Sequence, residues 1–163
     1  MLSQLYYISK REESGDLLSD LSQILTSAIR FNQTQHICGV LYYANNCFFQ
    51  CLEGEKEVIA QLFERIQQDP RHKELRVIST KEIFEVNFSQ WSMKYVQKNK
   101  TIDLFFKKCG FDSFQPHLLT EADTNALLSC LISAENTSLN QKKASNESNH
   151  TKGYKRGYMN YIA

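Results

Sequence analysis

The 163 residues of this chain are enough to bury one hydrophobic core and too few for two ordinary domains with a linker. The sequence is 42% hydrophobic and 23% charged, as in soluble globular proteins, and its net charge of +1 gives no reason to expect nucleic acid as a partner. No apolar stretch is long enough for a signal peptide or a membrane span, so we predict a cytoplasmic protein without a membrane partner.

The N-terminal third of the chain alternates strand and helix patterns. Leu2 to Ser9 is short and rich in aromatic and branched residues, which predicts a strand. From Asp16 to Phe31, apolar residues recur at helical spacing, which predicts an amphipathic helix. The strand patterns GVLYYA and CFFQCLE then flank Asn45 and Asn46, which tolerate the positive φ of a tight turn. This segment is therefore predicted to form a hairpin.

A second helix and two more strands complete the predicted sheet. The helix is expected to open at Gly54 and Glu55 and to stop at Pro70. The last strand patterns cover residues 76–80 and 91–96. The order β-α-β-β-α-β-β predicts an α+β, ferredoxin-like fold, in which two helices cover one face of a five-stranded mixed sheet. In this topology the first strand lies beside the third.

The composition also divides the chain into three parts. A polar run closes the first part, so residues 1–97 are predicted to form the main domain. Two helices, over Ile102–Cys109 and Leu118–Ala134, are predicted to form a C-terminal cap or output element, residues 98–134. Residues 135–163 are mostly Asn, Ser, Lys, Gln and Glu, which predicts a disordered tail, although its terminal GYKRGYMNYIA is also compatible with a docking segment.

Motifs of common enzymes and metal sites are absent from the sequence. It has no GxGxxG, P-loop, HExxH or GxSxG motif, and its four histidines are scattered over different predicted elements. The five cysteines are an odd set without a CxxC pair, which argues against a disulfide framework and a structural zinc site. We therefore predict a protein that is not an enzyme and binds no metal.

Gln50 is the unusual residue of the predicted sheet. Strand periodicity places it on the same face as Phe48 and Leu52, so its amide is buried if Leu52 is a core residue. A buried amide without partners costs about 1–3 kcal/mol, and Tyr7 on the neighbouring strand is a suitable partner. Because one end of glutamine carries both a donor and an acceptor, rotation or tautomerisation exchanges the two. An ordinary structural Tyr–Gln pair is the alternative on these two residues alone.

The order and spacing of several segments identify a family resemblance. Asn32, ICGVLYY, FFQCLEG, RIQQDPRH and QWSMKYV together resemble the BLUF family of blue-light sensors that use FAD. The resemblance covers residues 1–97 and extends more loosely through the two C-terminal helices. It implies a stand-alone photoreceptor that binds FAD noncovalently, with FMN or riboflavin as the other flavins to consider.

The resemblance also implies a role for individual residues. Tyr7 matches the photoactive tyrosine, Gln50 the switching glutamine, and Asn32 the asparagine that holds the polar edge of the flavin ring. Trp91 and Met93 match a movable pair on the last strand, one of which approaches the glutamine. The other implied cofactor contacts are two isoleucines that pack on the ring and a polar cluster near the ribityl chain and phosphates: Ile24, Ile66, Arg65, Asp69, Arg71 and His72.

By this resemblance, blue light makes Tyr7 give up an electron and then a proton, and a rearranged Gln50 remains. Trp91, Met93 and the last strand would relay the change to the C-terminal helices, and so to a downstream signalling or transcription-regulating protein. The resemblance leaves open whether the chain forms a homo-oligomer. Many family members carry threonine where this chain has Cys38.

Other functions share the predicted fold. Ferredoxin-like domains include RNA-binding modules, ligand-binding regulatory domains and acylphosphatase-type enzymes. A flavin-dependent redox enzyme is the stronger alternative, because any bound flavin can be reduced. Such an enzyme typically needs a nicotinamide-binding fingerprint or a reactive cysteine pair, and the sequence contains neither.

Overall fold

The computed structural model of the protein describes residues 1–13 and 15–135. It contains five strands and four α-helices in the predicted order, with a short 3-10 helix (Pro116–Leu118) before the last one. The strands are β1 (Leu2–Arg11), β2 (Cys38–Ala44), β3 (Cys47–Glu55), β4 (His72–Glu82) and β5 (Lys94–Gln97). The helices are α1 (Leu17–Gln35), α2 (Lys56–Gln67), α3 (Lys100–Lys108) and α4 (Glu121–Ser133). The predicted tail, apart from Glu135, lies outside the described residues.

The five strands form one mixed sheet in the order β4-β1-β3-β2-β5. The pairs β1–β3, β1–β4 and β2–β3 are antiparallel, whereas β2 and β5 are parallel. This confirms the predicted ferredoxin-like α+β fold and the position of the first strand beside the third. Asn45 and Asn46 have φ of 48° and 61°, as the predicted hairpin between β2 and β3 requires.

Each face of the sheet carries its own helical layer and its own apolar core. Because side chains alternate along a strand, Tyr7 belongs to the core beneath α1 and α2, and Tyr6 to the core beneath α3 and α4. Phe48 and Leu52 lie in the first core, as predicted for that face of β3. The proposed division between the main domain and the C-terminal helices at residue 97 stays a prediction.

Local capping decides where the helices begin. The Asp16 carboxylate accepts a hydrogen bond from Ser19 N (2.9 Å), so α1 starts one residue after Asp16. The Asn99 side chain caps α3 in the same way, by accepting from Ile102 N (3.1 Å). Thr120 and Asp123 form a reciprocal capping box at α4.

Several predicted boundaries were wrong: the first helix runs four residues beyond Phe31, to Gln35, and the fourth strand begins at His72, four residues before Arg76. Three other differences have identifiable physical reasons. The last helix was expected from Leu118, but the Thr120 capping box starts it at Glu121. Gly54 was expected to open α2, but it still pairs with β1 across the ladder and belongs to β3. The last strand was expected to include Trp91, but Trp91 N donates to Phe88 O (2.9 Å), which closes a turn before β5.

Candidate ligand-binding site

A cavity of about 260 Å³ lies between α1, α2 and the sheet. It is lined by all nine residues that the sequence predicted to contact a cofactor: Tyr7, Ile24, Asn32, Gln50, Arg65, Ile66, Asp69, Arg71 and His72. A wider surface groove of about 810 Å³ adjoins it and shares the side chains of Ser27, Arg65, Asp69 and Arg71. The fold therefore brings residues from β1, β3 and both helices to one apolar cavity with a polar mouth.

The inner wall of the cavity holds a buried Tyr–Gln pair. Tyr7 and Gln50 are directly opposite each other in the β1–β3 ladder, and the Tyr7 hydroxyl donates to the Gln50 side-chain oxygen. Burial, with a smaller contribution from the charge of Asp69, raises the pKa of Tyr7 far above its ordinary value. The phenol therefore stays protonated at any physiological pH, and its proton already faces an acceptor. The ring packs edge-on against Phe63, with the centroids 5.3 Å apart.

The other end of the Gln50 amide faces a methionine. Gln50 Nε2 lies 3.6 Å from Met93 Sδ, which is a weak acceptor. Met93 is 5% exposed and packs in the core beneath α1 and α2. In this arrangement Met93 is the member of the predicted movable pair beside Gln50. The amide thus bridges Tyr7 and Met93. Its orientation determines which of the two residues faces the amide nitrogen, which is the donor.

Asn32 supplies an unsatisfied acceptor to the same cavity. Its side chain is fully buried, and Nδ2 donates to Ser92 O (2.7 Å). Its Oδ1 is buried and has no hydrogen-bond partner among the described residues. A buried polar atom left unpaired costs about 1–3 kcal/mol, so a ligand with an N–H donor is expected at this point. A flavin ring carries such a donor on its polar edge, and the apolar side chains of Ile24 and Ile66 also line the cavity.

The mouth of the cavity is an ion pair followed by a partly buried histidine. Arg71 donates from Nε to both oxygens of Asp69 (2.9 and 3.1 Å) and from Nη2 to Oδ2 (2.5 Å). Burial alone would raise the pKa of Asp69, but the hydrogen bonds and charge of Arg71, with the charge of His72, lower it overall. This end of the cavity keeps a fixed pair of charges, while the Arg65 guanidinium lies 4.6 Å from the Phe31 ring centroid.

His72 joins the mouth of the cavity to the sheet. Its Nδ1 lies 2.8 Å from Ser9 Oγ, and its ring packs 4.8 Å from the Phe48 ring, centroid to centroid. Burial lowers the pKa of His72 and the charge of Arg71 lowers it further, while the charge of Asp69 opposes them without reversing the direction. The imidazole is therefore neutral at pH 7.

Two predicted site residues, Trp91 and Met93, do not line the cavity, although Met93 contacts Gln50 in its wall. Trp91 packs, partly buried, against the core beneath α3 and α4, on the opposite side of the sheet from Met93. Its carbonyl accepts from Gly39 N (3.3 Å), so the segment before β5 is still tied to β2.

A Cβ on Gly39 would lie 2.3 Å from Cys51 O and 3.4 Å from Met93 Cε. Only glycine allows this close approach.

Glu53 is an important residue that the sequence interpretation missed. It is fully buried, and its carboxylate accepts from Asn87 N (2.6 Å), Asn87 Nδ2 (2.7 Å), Phe88 N (3.0 Å) and Gln4 Nε2 (2.5 Å). These bonds anchor the start of the segment that carries Trp91 and Met93. Strand alternation could have revealed Glu53, because it shares a face with the core residues Phe49 and Cys51. A charge on such a face needs donors.

The described residues contain neither a cluster of potential metal ligands nor a helix that could span a membrane. Within residues 1–13 and 15–135, no group of His, Cys, Asp and Glu side chains is arranged to hold a metal ion. Across the same ranges, none of the helices has the length and hydropathy to cross a membrane.

Comparison with known proteins gives one matching family and several relatives. The family model described as sensors of blue-light using FAD (BLUF) matches residues 2–94. The photoactivated adenylate cyclase subunit beta of Euglena gracilis is 39% identical over 93 residues, which are 56% of this chain and 11% of that protein. The blue light- and temperature-regulated antirepressor BluF of Escherichia coli K12 is 32% identical over 72 residues, 44% of this chain and 18% of that protein. The chain thus spans only a small part of these relatives.

Solved structures cover more of the chain. The ground state of BlsA is 50% identical, with a TM-score of 0.83, and the match covers 86% of this chain and 93% of BlsA. The photo-activated state of BlsA is 49% identical with the same TM-score, over 85% of this chain and 100% of BlsA. BlrB in its dark state, described as a BLUF protein, is 27% identical with a TM-score of 0.68, over 80% of this chain and 94% of BlrB. These similarities extend beyond the sheet into the C-terminal helices.

Proposed function

Since the chain belongs to the BLUF family of blue-light sensors that use FAD, we propose that it is a cytoplasmic photoreceptor that binds FAD noncovalently and has no catalytic activity. One observation carries this proposal. The Tyr7–Gln50 pair and the unpaired Asn32 Oδ1 line the same cavity. A structural Tyr–Gln pair in an ordinary core would not need an apolar cavity with an unsatisfied acceptor beside it.

The residues of the cavity divide naturally between the parts of a flavin. Asn32 would hold the polar edge of the ring, while Ile24 and Ile66 would pack on it. The ribityl chain and phosphates would run toward the mouth, along Asp69, His72 and the two arginines there. Because the charges at the mouth suit any phosphorylated flavin, FAD is favoured by family membership, and FMN or riboflavin remain to be compared with it.

A bound flavin supplies absorption of blue light and a ring that accepts an electron. Tyr7 would be the electron donor in the cavity wall, and its high pKa means that it would lose a proton only after it had lost an electron. Its hydrogen bond to Gln50 gives that proton an immediate acceptor. The same bond restores the proton to Tyr7 when the electron returns.

Gln50 would store the light state. In the structure its oxygen faces Tyr7 and its nitrogen faces Met93. Rotation or tautomerisation exchanges donor for acceptor on both sides, so Gln50 would present a new hydrogen bond to the cavity without any covalent bond to the ligand. Met93 would be the first residue to sense the exchange, because its sulfur would then face the amide oxygen.

The output would be a protein contact. Met93 and Trp91 belong to the segment before β5, and β5 leads directly into α3. A change in this segment would bias the packing of α3 and α4, and through them the binding of a signalling or transcription-regulating protein. Among the relatives, BluF is described as an antirepressor, which supports an output of this kind.

The test begins with the purified full chain and FAD. We expect a yellow protein whose flavin absorption band moves to longer wavelength after brief blue light and recovers in darkness. Titration with FMN and riboflavin under the same conditions ranks the three flavins. A colourless preparation that also fails to take up any of them would overturn the proposal, as would a flavin-bound protein that shows only bleaching by reduction.

A further inference from the structure

Lys94 is a buried ammonium group on the side of β5 that faces away from the cavity. It is 1% exposed and pairs with Val40 of β2. Its neighbours Met93 and Tyr95 both pack in the core beneath α1 and α2, so alternation points Lys94 into the layer of α3 and α4. A buried charge is unfavourable unless it is compensated, and an apolar residue is the usual occupant of such a position.

The compensation comes from two contacts of the ammonium group. Lys94 Nζ donates to Ile132 O (2.7 Å) in the last turn of α4, where carbonyls lack intrahelical partners and the helix dipole is negative. The same Nζ lies 4.2 Å from the centroid of the Trp91 ring, within cation–π range. No carboxylate forms an ion pair with Lys94 among the described residues.

These contacts place Lys94 between the cavity and the end of α4. Met93, bonded to Gln50, and Trp91, beneath the ammonium group, lie two residues apart in one segment. If Met93 moves, the segment that carries it would move as well, and the Trp91 ring would be withdrawn from Lys94. The ammonium group would then lose its contact with the Trp91 ring. Without that contact it would no longer be positioned to donate to Ile132 O.

We infer that Lys94 is a positioning residue that couples the segment 91–93 to the last turn of α4, holding that turn in darkness and releasing it in light. The inference rests on the proposed light response for its trigger. Exchange of this turn in darkness tests the contacts of Lys94 independently of any light response.

The matched control is Lys81. It also joins the sheet to α4, because its Nζ lies 3.4 Å from Asn125 Oδ1 and 5.7 Å from the Tyr6 ring centroid. It stands on β4, at the opposite edge of the sheet from β5. Lys81→Met therefore removes a lysine contact to α4 without touching Trp91.

The experiment compares hydrogen exchange of residues 124–135 in the flavin-loaded full chain, in darkness and under blue light. In the wild type we expect exchange in the last turn of α4 to be about tenfold faster in light, as a lost desolvated cation–π and hydrogen-bond contact implies. In Lys94→Met the turn should exchange fast in both conditions, while Lys94→Arg and Lys81→Met keep the difference. The fluorescence of Trp91, the single tryptophan, should respond to Lys94→Met and not to Lys81→Met.

The outcomes separate the two proposals. The flavin absorption shift is recorded on the same samples, and its loss in every protein would overturn the light response alone. The coupling is overturned if Lys94→Met shows the wild-type rate in darkness, or keeps the wild-type difference between light and dark. Lys94→Gln, which removes the charge and keeps a donor for Ile132 O, replaces Lys94→Met if that variant does not fold.

Discussion

Tyr7 and Gln50 face each other across the β1–β3 ladder, and the Tyr7 hydroxyl donates to the amide oxygen of Gln50. The ladder fixes this relationship, because directly opposed side chains of an antiparallel pair lie within contact range. The amide continues the contact to Met93 on its other side. A single side chain therefore connects Tyr7 to the segment before β5.

Replacing Gln50 with leucine should abolish the light-induced absorption shift while leaving the flavin bound. Leucine fills a similar volume but cannot exchange a donor for an acceptor, and it leaves the buried Tyr7 hydroxyl unpaired at a cost of about 1–3 kcal/mol. Absorption spectra before and after blue light measure the shift. Gln4→Leu is the control, since Gln4 is also buried but bonds Glu53 on the other face of the sheet. A full, reversible shift in Gln50→Leu would remove Gln50 from the mechanism.

Asn32→Ala should raise the Kd for the flavin. The free energy of unfolding of the apoprotein should change by a smaller amount. The substitution removes the unpaired Oδ1 acceptor, which would bond only a ligand, together with the bond to Ser92 O. Loss of one such acceptor corresponds to about 1–3 kcal/mol, or about a fivefold to 150-fold increase in Kd. Flavin titration by fluorescence gives the Kd, and urea unfolding of the apoprotein gives the separate effect on stability. An unchanged Kd would contradict the assignment of Asn32.

The fold was predictable because each strand and helix has its own pattern. The alternation in CFFQCLE and the two asparagines after Ala44 were sufficient for the hairpin of β2 and β3, and the ferredoxin-like order then predicted β1 beside β3. Strand periodicity paired Tyr7 with Gln50, but the other cavity residues could be named only through the family resemblance. Ile24 and Ile66 follow an apolar periodicity that is identical for a core and for a ligand cavity.

The remaining features depend on tertiary contacts that no local pattern encodes. Trp91 and Met93 were expected together on one strand, but the turn at Phe88 places them on opposite sides of the sheet. Lys94 looks like an ordinary exposed strand residue until α4 covers it. The start of α4 was missed because the capping box of Thr120 overrides the apolar run from Leu118.

His72 should make the protein less stable as pH falls below about 6.5, the ordinary pKa of histidine. Burial lowers the pKa of the folded-state imidazole, so below pH 6.5 the unfolded chain binds a proton that the native protein does not. The free energy of unfolding therefore decreases until the folded-state pKa is reached. Asp69, whose folded-state pKa is also lowered, adds a further loss only near its ordinary value of about 3.9.

Urea unfolding at a series of pH values tests this for the apoprotein. His72→Gln keeps a polar partner for Ser9 and does not titrate, so it should flatten the slope between about pH 6.5 and 5. The exposed His117 provides the control for the substitution itself, and His117→Gln should change the stability at pH 7 little. Equal slopes in the wild type and His72→Gln would contradict the role of burial at His72.

Gly39→Ala should destabilise the protein and disturb the segment before β5. Its Cβ would stand 2.3 Å from Cys51 O, a backbone atom that cannot move without separating β2 from β3. Overpacking of this kind typically costs about 1–3 kcal/mol. Gly54→Ala is the comparison, because its Cβ would meet the Ile37 side chain at 3.3 Å, which a small adjustment relieves. A smaller loss in Gly39→Ala than in Gly54→Ala would contradict the close approach.

Glu53→Gln should lower the free energy of unfolding by about 1–3 kcal/mol, because an amide group would face donors that now meet a carboxylate. The two carboxylate oxygens accept from Asn87 and Phe88, and a glutamine can offer only one oxygen to them. Glu55→Gln, at the exposed end of the same strand, should change stability little. Since these bonds anchor the segment that carries Met93, Glu53→Gln should also change the dark-recovery rate, while Glu55→Gln should not. If both variants match the wild type in urea unfolding and in recovery, the segment is held by its apolar contacts, with Phe88 as the main anchor.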